Sequence, residues 1–139
     1  MHDAVPRQRT IAVTATSDFD DLLLRSHREP VLLFKHDPYC SISAAAHREM
    51  GRVGADVAIV DVARYDRLGQ AIAARTGVQH QSPQVIVLRD GRSVWSASHF
   101  MISAESVRRA VDEAALTGVR PQVAAGDEVR SARPRWKLW

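Results

Sequence analysis

The sequence predicts an α/β fold in three layers, in which a central mixed sheet of four to five strands is flanked by helices. Short β-branched or apolar runs alternate with segments of helical periodicity, a pattern typical of β-α-β units and a parallel sheet. The pair Asp90-Gly91 then lies between two strand-like runs, which indicates a β-hairpin and therefore an antiparallel part. A chain of 139 residues has room for one such domain.

The first strand and the first helix are predicted from local residue types. Thr10–Thr14 is short and β-branched, which indicates a strand. Ser17 offers a helix N-cap and is followed by acidic residues in the first turn. The helix must end before Pro30, because the residue that precedes a proline disfavours the helical conformation. The apolar residues predicted to form its buried stripe are Phe19, Leu22 and Leu23.

Two nearly continuous apolar runs follow, Val31–Lys35 and Asp56–Val62. Runs without polar alternation indicate strands that are buried on both faces. Ser41–Met50 lies between them and is rich in helix formers, so Cys40 falls at the N-terminus of a predicted helix. Leu68–Thr76 is predicted to form a further helix, which ends at the glycine that follows it.

The last part of the chain predicts a hairpin and a final helix. Ser82-Pro83 introduces the strand Val85–Leu88, and the Asp90-Gly91 turn leads to a second strand at Ser93–Ala97. Ser103 opens the last helix. The residues predicted for its inner face are Val107, Ala110, Val111, Ala114 and Ala115.

This order of elements is that of the thioredoxin fold: a parallel β-α-β half, an antiparallel β-β-α half, and a thiol at the start of the helix that follows the central strand. It predicts a thioredoxin-like domain over residues 10–116. Residues 1–9 are predicted to form an N-terminal arm. Residues 117–139 contain glycine and proline without clear periodicity and are predicted to form a C-terminal tail.

Composition and charge exclude several classes of function. The chain is 45% hydrophobic and 25% charged, which is typical of a folded globular protein. Residues 128–139 contain four basic residues and one acidic residue, a net charge of +3 that equals that of the whole chain. The body is therefore balanced, and we expect no nucleic-acid partner. No apolar run approaches the roughly 20 residues that cross a bilayer, and the N-terminus lacks a secretory signal. We therefore expect a cytoplasmic protein without a membrane partner.

Cys40 is the only cysteine, so no disulfide can form within the chain. The free N–H groups and the positive dipole end of a helix N-terminus favour a thiolate over a thiol. With no second cysteine to resolve it, a mixed disulfide at Cys40 must be attacked by an external thiol. The alternative is a buried, inert cysteine that serves as a small hydrophobic residue.

Three neighbours of Cys40 are candidate site residues. Ser43 lies where dithiol enzymes have their second thiol, and we expect its hydroxyl to donate a hydrogen bond to the sulfur; a serine that caps the backbone is the alternative. Lys35 and His36 are expected to add positive charge. The alternative for Lys35 is a solvated strand end.

Ser82 and Pro83 are the candidates contributed by the second half. Because Pro83 stands in a tight bend that faces the predicted site, we expect its peptide bond to be cis. The backbone at Ser82 would then pair with an incoming substrate. The alternative is a proline that simply begins a strand, where no N–H is needed.

No metal site is predicted. His47, His80 and His99 match no ligand spacing, and no acidic cluster accompanies them. One alternative remains, an iron–sulfur cluster shared between two chains through Cys40 and an external thiol.

Four segments of the sequence resemble the YtxJ family, the monothiol bacilliredoxins. They are Pro30–His36, Cys40-Ser41-Ile42-Ser43, Gly77–Gln84 and Asp90–His99. The resemblance covers about residues 14–116. It implies a thioredoxin-like protein that removes bacillithiol from protein mixed disulfides with one cysteine as nucleophile.

Cys40 matches the nucleophile of that family, whose motif resembles T-C-P-I-S, and Ile42 and Ser43 match as well. Ser41 replaces the usual proline and Tyr39 replaces the residue before the cysteine. Because proline in the first helical turn preorganises the loop, this departure affects thiol reactivity and substrate fit.

The sequence therefore predicts a monothiol thiol–disulfide oxidoreductase in which Cys40 and Ser43 are catalytic. The residues expected to bind substrate are Lys35, His36, Tyr39, Ser41, Ile42, Ser82 and Pro83. No resident cofactor is expected; the co-substrate is bacillithiol or a similar low-molecular-weight thiol, and the partners are thiolated client proteins. The alternative is a non-catalytic thioredoxin-like interaction module that binds its partner through the Pro83 face or the C-terminal tail.

Overall fold

The computed structural model of the protein describes residues 8–117. The predicted tail lies outside these residues except for Thr117, and the predicted arm lies outside them except for its last two residues. The strands are β1 (Thr10–Ala12), β2 (Val31–His36), β3 (Val57–Asp61), β4 (Gln84–Arg89) and β5 (Arg92–Ser98). The α-helices are α1 (Thr16–Arg25), α2 (Ser41–Met50), α3 (Asp66–Thr76) and α4 (Ala104–Thr117). A 3-10 helix at His99–Met101, here called the β5–α4 turn, joins the last strand to the last helix.

The five strands form one mixed sheet in the order β1-β3-β2-β4-β5. β1, β3 and β2 run parallel, whereas β4 is antiparallel to both β2 and β5. β2 is thus the central strand, and its first five residues are all buried. This confirms the predicted mixed α/β sheet of the thioredoxin type.

Helices cover both faces of the sheet, which gives the predicted three layers. One face packs against α2 and α4 around Phe34, Met50 and Val107. The other face packs against α1 and α3 around Phe19 and Ile72. Successive residues of β2 point to opposite faces, so this strand contributes to both cores.

The predicted turn between β4 and β5 is confirmed. Asp90 and Gly91 both adopt positive φ, at 58° and 81°. A two-residue hairpin of this kind needs left-handed backbone at both positions, which aspartate and glycine tolerate best. Helix α4 also begins as predicted, because Ser103 Oγ accepts a hydrogen bond from the Ser106 N–H at 3.1 Å.

Some local predictions were wrong. Helix α1 begins at Thr16, so Ser17 is not its N-cap; instead Asp18 reaches back and accepts a hydrogen bond from the Thr14 N–H at 2.9 Å. The first strand ends at Ala12 rather than Thr14. Ala115 is exposed, because it lies beyond the edge of the α4 face that Ala114 buries.

Candidate active site

Cys40 occupies the N-cap position of α2, as the sequence predicted. Its N–H donates to the Asp37 carbonyl at 3.1 Å, and its carbonyl accepts from the Ala44 N–H at 2.9 Å. Asp37 also accepts a hydrogen bond from the Tyr39 N–H through its carboxylate at 2.9 Å. The half-buried thiol is therefore held by a short, internally bonded turn between β2 and α2.

Ser82 and Pro83 lie at the same end of the sheet. Gln84, the first residue of β4, is paired with Lys35 near the end of β2. The Ser82–Pro83 peptide bond is cis, as expected. The Pro83 carbonyl accepts a hydrogen bond from the His99 N–H at 3.0 Å, which ties this segment to the β5–α4 turn.

Ser43 does not make the predicted hydrogen bond to the Cys40 sulfur. Its side chain is completely buried and its Oγ is already engaged: it accepts from the Asp37 N–H at 2.9 Å and lies 2.6 Å from His36 Nδ1. Among residues 8–117 the structure places no hydrogen bond on Cys40 Sγ. Ser43 therefore holds the turn that precedes α2, which is the capping alternative of the sequence analysis.

His36 belongs to a stack of three rings. Its ring centroid lies 5.1 Å from that of Phe34 and 4.7 Å from that of His47. Burial and the nearby His47 lower the pKa of His36 from its ordinary value, against the opposing effect of Asp61 and Asp37. His36 is therefore neutral at neutral pH and does not supply the positive charge that the sequence suggested.

Lys35 is also placed differently from its prediction. Its side chain is 0% exposed, so it is neither a solvated strand end nor able to touch a substrate. Its Nζ donates to Gln84 Oε1 at 3.0 Å. Burial lowers the pKa of Lys35 to about 8. In the part of the chain that the structure describes, no ion pair involves this ammonium.

Gln84 and the part of the apolar rim of the site formed by Phe100 and Met101 were not predicted from the sequence. Gln84 is a buried amide at the start of a strand whose next four residues are apolar, and that mismatch was the available signal. Tyr39 is 88% exposed, Phe100 84% and Met101 75%. Phe100 and Met101 follow His99, whose N–H donates to the Pro83 carbonyl. The exposed side of the site therefore presents large apolar side chains together with Ser41, which is exposed, and Ile42, which is half-buried.

Residues 8–117 contain neither a candidate metal site nor a candidate membrane span. No group of three or more histidine, cysteine, aspartate or glutamate side chains is arranged so that it could hold a metal ion. None of the helices described there has the length and apolar character needed to cross a membrane.

Comparison with solved structures defines the class of protein. A candidate oxidoreductase with a thioredoxin fold is 27% identical, covers 73% of this chain and 92% of its own, and superposes with a TM-score of 0.67. Thioredoxin from Malassezia sympodialis is 12% identical with a TM-score of 0.63, over 82% of this chain and 97% of its own. Thioredoxin from Trypanosoma brucei brucei is 15% identical with a TM-score of 0.60, over 81% and 95%. The protein has the thioredoxin fold.

The family is more specific than the fold. Residues 11–107 match the family of the monothiol bacilliredoxin BrxC. The chain belongs to this family, which confirms the resemblance found in the sequence. Family membership and fold together support a thiol redox role.

Proposed function

We propose that the protein removes a low-molecular-weight thiol, bacillithiol or a close chemical relative, from mixed disulfides on client proteins. The observation that carries this proposal is the position of Cys40: the residue with the only thiol of the chain occupies the N-cap position of α2, at the sheet end that also holds Ser82 and Pro83. Membership in the monothiol bacilliredoxin family supports the same chemistry. No resident cofactor is needed for it.

The first step is a thiol–disulfide exchange. The Cys40 thiolate attacks the sulfur of the small thiol in the client disulfide. A new S–S bond forms between Cys40 and the small thiol, the original S–S bond breaks, and the client sulfur leaves with the electron pair. That thiolate takes its proton from water. The client is now repaired, and Cys40 holds the small thiol.

The second step regenerates Cys40. A free small thiolate attacks the small-thiol sulfur held on Cys40, which releases the Cys40 thiolate and a disulfide of two small thiols. Over the two steps the client sulfur is reduced and the incoming free small thiol is oxidised, while the first small-thiol sulfur stays at disulfide level, so the electrons balance. An external thiol is required because Ser43 occupies the position where a second cysteine would act, and Cys40 is the only cysteine of the chain.

The other site residues have separate roles in this proposal. The backbone at Ser82 and Pro83 pairs with the client segment around its thiolated cysteine. Tyr39, Ser41 and Ile42 border the small thiol and the client at the start of α2. The exposed rings and apolar side chains of the rim suit a polypeptide client, since buried apolar area stabilises most protein contacts.

The test uses a purified client protein that has one cysteine thiolated with bacillithiol. With the wild-type protein, intact mass spectrometry should show the client losing one adduct while Cys40 gains it, and a reductant should remove it. Cys40→Ser should leave the client thiolated. Ser96→Ala, an exposed change on β5, is the matched control and should behave as wild type. Dethiolation by Cys40→Ser would overturn the proposal, and a wild-type protein that leaves the client thiolated would overturn it in favour of the interaction module.

The identity of the small thiol is tested with the same client. It is prepared with bacillithiol, glutathione, cysteine or coenzyme A as the adduct, and kcat/KM is measured for each. We expect the bacillithiol adduct to be preferred by about tenfold or more, because differential contacts in the transition state set specificity. Equal rates for all four adducts would contradict selectivity for bacillithiol while leaving the monothiol chemistry intact.

A further inference from the structure

We infer that Lys35 is a positioning residue, which acts through Gln84 to hold the substrate-binding segment at residues 79–83 in place. The inference rests on the proposed function, because it assigns Lys35 to the same site. It replaces the expectation that Lys35 touches the substrate or supplies charge to the sulfur.

Lys35 and Gln84 lie directly opposite each other on β2 and β4, so their side chains share one face of the sheet. Lys35 Nζ donates to Gln84 Oε1 at 3.0 Å. Gln84 Nε2 in turn donates to the carbonyl of Gln79 at 2.9 Å. A chain of two hydrogen bonds thus runs from the central strand to the segment that leads into Ser82 and Pro83.

The lysine determines which way the amide of Gln84 points. An ammonium has three donors and no acceptor, so it can only face the amide oxygen. The amide NH₂ group is thereby directed at Gln79. A side chain without donors at position 35 would leave the amide free to rotate, and the contact with Gln79 would no longer be favoured.

The segment has few other polar contacts of its own. Within residues 79–82, all of which the structure describes, the bond from Gln84 is the one hydrogen bond that it shows. His80 Nδ1 and Ser82 Oγ are buried and have no hydrogen-bond partner within the described part of the chain. The ammonium also affects His80. Burial is the larger cause that lowers the pKa of this imidazole, and the positive charge of Lys35 is the second. The lysine therefore lies close to the segment that it is proposed to hold.

Stability alone does not account for this arrangement. Burying an ammonium without a carboxylate partner costs free energy that an apolar side chain of similar size would avoid. Among residues 8–117, Lys35 obtains one hydrogen bond in return, to a neutral amide. What the arrangement does provide is a fixed position for residues 79–83 beside the site.

Three variants separate positioning from stability. Lys35→Met removes the donor at similar volume. Gln84→Glu keeps an acceptor for Lys35 and adds an ion pair, but it cannot donate to Gln79. Arg89→Met is the matched control: Arg89 is likewise buried on β4, where its guanidinium donates to the carbonyls of Ser26 and Ala114, at the far end of the strand from Gln84.

Two readouts are measured on the full chain, and the first does not depend on activity. In hydrogen–deuterium exchange, the amides that are bonded at the two ends of the segment, Val78 N–H to Thr76 Oγ and His99 N–H to the Pro83 carbonyl, should exchange faster in Lys35→Met and in Gln84→Glu than in wild type, with no change in Arg89→Met. Unchanged exchange in the first two variants would overturn the inference. The exchange measurement remains informative even if the wild type fails to dethiolate the client. That failure would count against the proposed function alone.

The second readout is the kinetics of client dethiolation. Both site variants should raise KM for the thiolated protein about tenfold, as expected for a displaced substrate-positioning segment, while Cys40 alkylation by iodoacetamide stays within about twofold. Arg89→Met should leave KM unchanged. A fall in the alkylation rate of Lys35→Met as large as its loss of turnover would show that Lys35 acts on the sulfur. The inference would also be overturned if KM rose in Arg89→Met but not in Gln84→Glu, because KM would then follow the stability of the variants.

Discussion

Ser43 Oγ lies 2.6 Å from His36 Nδ1 and also accepts the Asp37 N–H. The hydroxyl three residues after Cys40 is therefore directed at the turn that precedes α2, and the sulfur of Cys40 lacks it as a partner. In a dithiol enzyme this position resolves the mixed disulfide. Here it closes the backbone turn that presents the single thiol.

Replacing Ser43 with alanine should lower the free energy of unfolding by about 1–2 kcal/mol, because the Asp37 N–H and His36 Nδ1 lose a shared buried partner. Urea unfolding monitored by far-UV circular dichroism measures the difference. The exposed change Ser96→Ala should alter stability by less than about 0.5 kcal/mol. Equal stability of Ser43→Ala and wild type would mean that the hydroxyl does not hold the turn.

Stability should fall in mild acid because of His36. Its pKa is lowered in the folded state, so below the ordinary value of about 6.5 the unfolded chain takes up a proton that the folded chain resists. The stability contributed by His36 is therefore complete above that value and declines below it, so it should be smaller at pH 5.5 than at pH 7.5. His36→Phe keeps a ring in the stack with Phe34 and His47 but does not titrate.

The free energy of unfolding of wild type and of His36→Phe is measured by urea titration at both pH values. His80, whose pKa is also lowered, contributes in the same direction in both proteins. We expect a smaller acid loss in His36→Phe. Equal losses of unfolding free energy in the two proteins would contradict the assignment of the acid effect to His36.

Lys35 should change the stability of the protein at alkaline pH. Its pKa is about 8 in the folded protein and 10.5 ordinarily, so between these values the unfolded chain retains a proton that the folded chain has released. The stability of the wild type relative to Lys35→Met should therefore rise as the pH increases from 8 toward 10.

Urea titrations of wild type and Lys35→Met at pH 7 and pH 10 give that difference, and groups common to both proteins cancel. The change should favour the wild type at the higher pH. A constant difference would show that Lys35 is not desolvated in the folded state.

Gly69 in α3 should not tolerate a methyl group. Glycine to alanine within a helix ordinarily stabilises by about 1 kcal/mol. A Cβ on Gly69 would lie 2.9 Å from His80 Cε1, so we expect the sign to reverse, with a loss of about 1 kcal/mol or more. Thermal or urea unfolding of Gly69→Ala provides the measurement.

Gly51 provides the matched control for that substitution. It ends α2 with φ of −65°, and a Cβ there would meet only ordinary contacts, the nearest at 3.5 Å from the Arg48 carbonyl. Gly51→Ala should cost no more than about 0.5 kcal/mol. If Gly69→Ala proves as stable as Gly51→Ala, His80 does not pack against α3 as described.

The sequence alone was sufficient for the order of the elements. Apolar runs without alternation predicted the central strands, and Asp90-Gly91 predicted the hairpin, because turn chemistry and hydrophobic periodicity are local properties of the chain. The position of Cys40 at a helix N-terminus followed from the same local signals. The family resemblance was likewise visible in the sequence and is confirmed.

The partners of the site residues were decided only by the tertiary structure. Lys35 ends an apolar run, and nothing nearby in the sequence indicates that it bonds to Gln84, 49 residues away. That pairing exists because β4 packs antiparallel against β2 and places both side chains on one buried face. The partner of Ser43 depends in turn on how the segment before α2 folds back. Local sequence specifies which residues form a strand or helix, whereas the contacts of a buried polar group depend on which distant elements surround it.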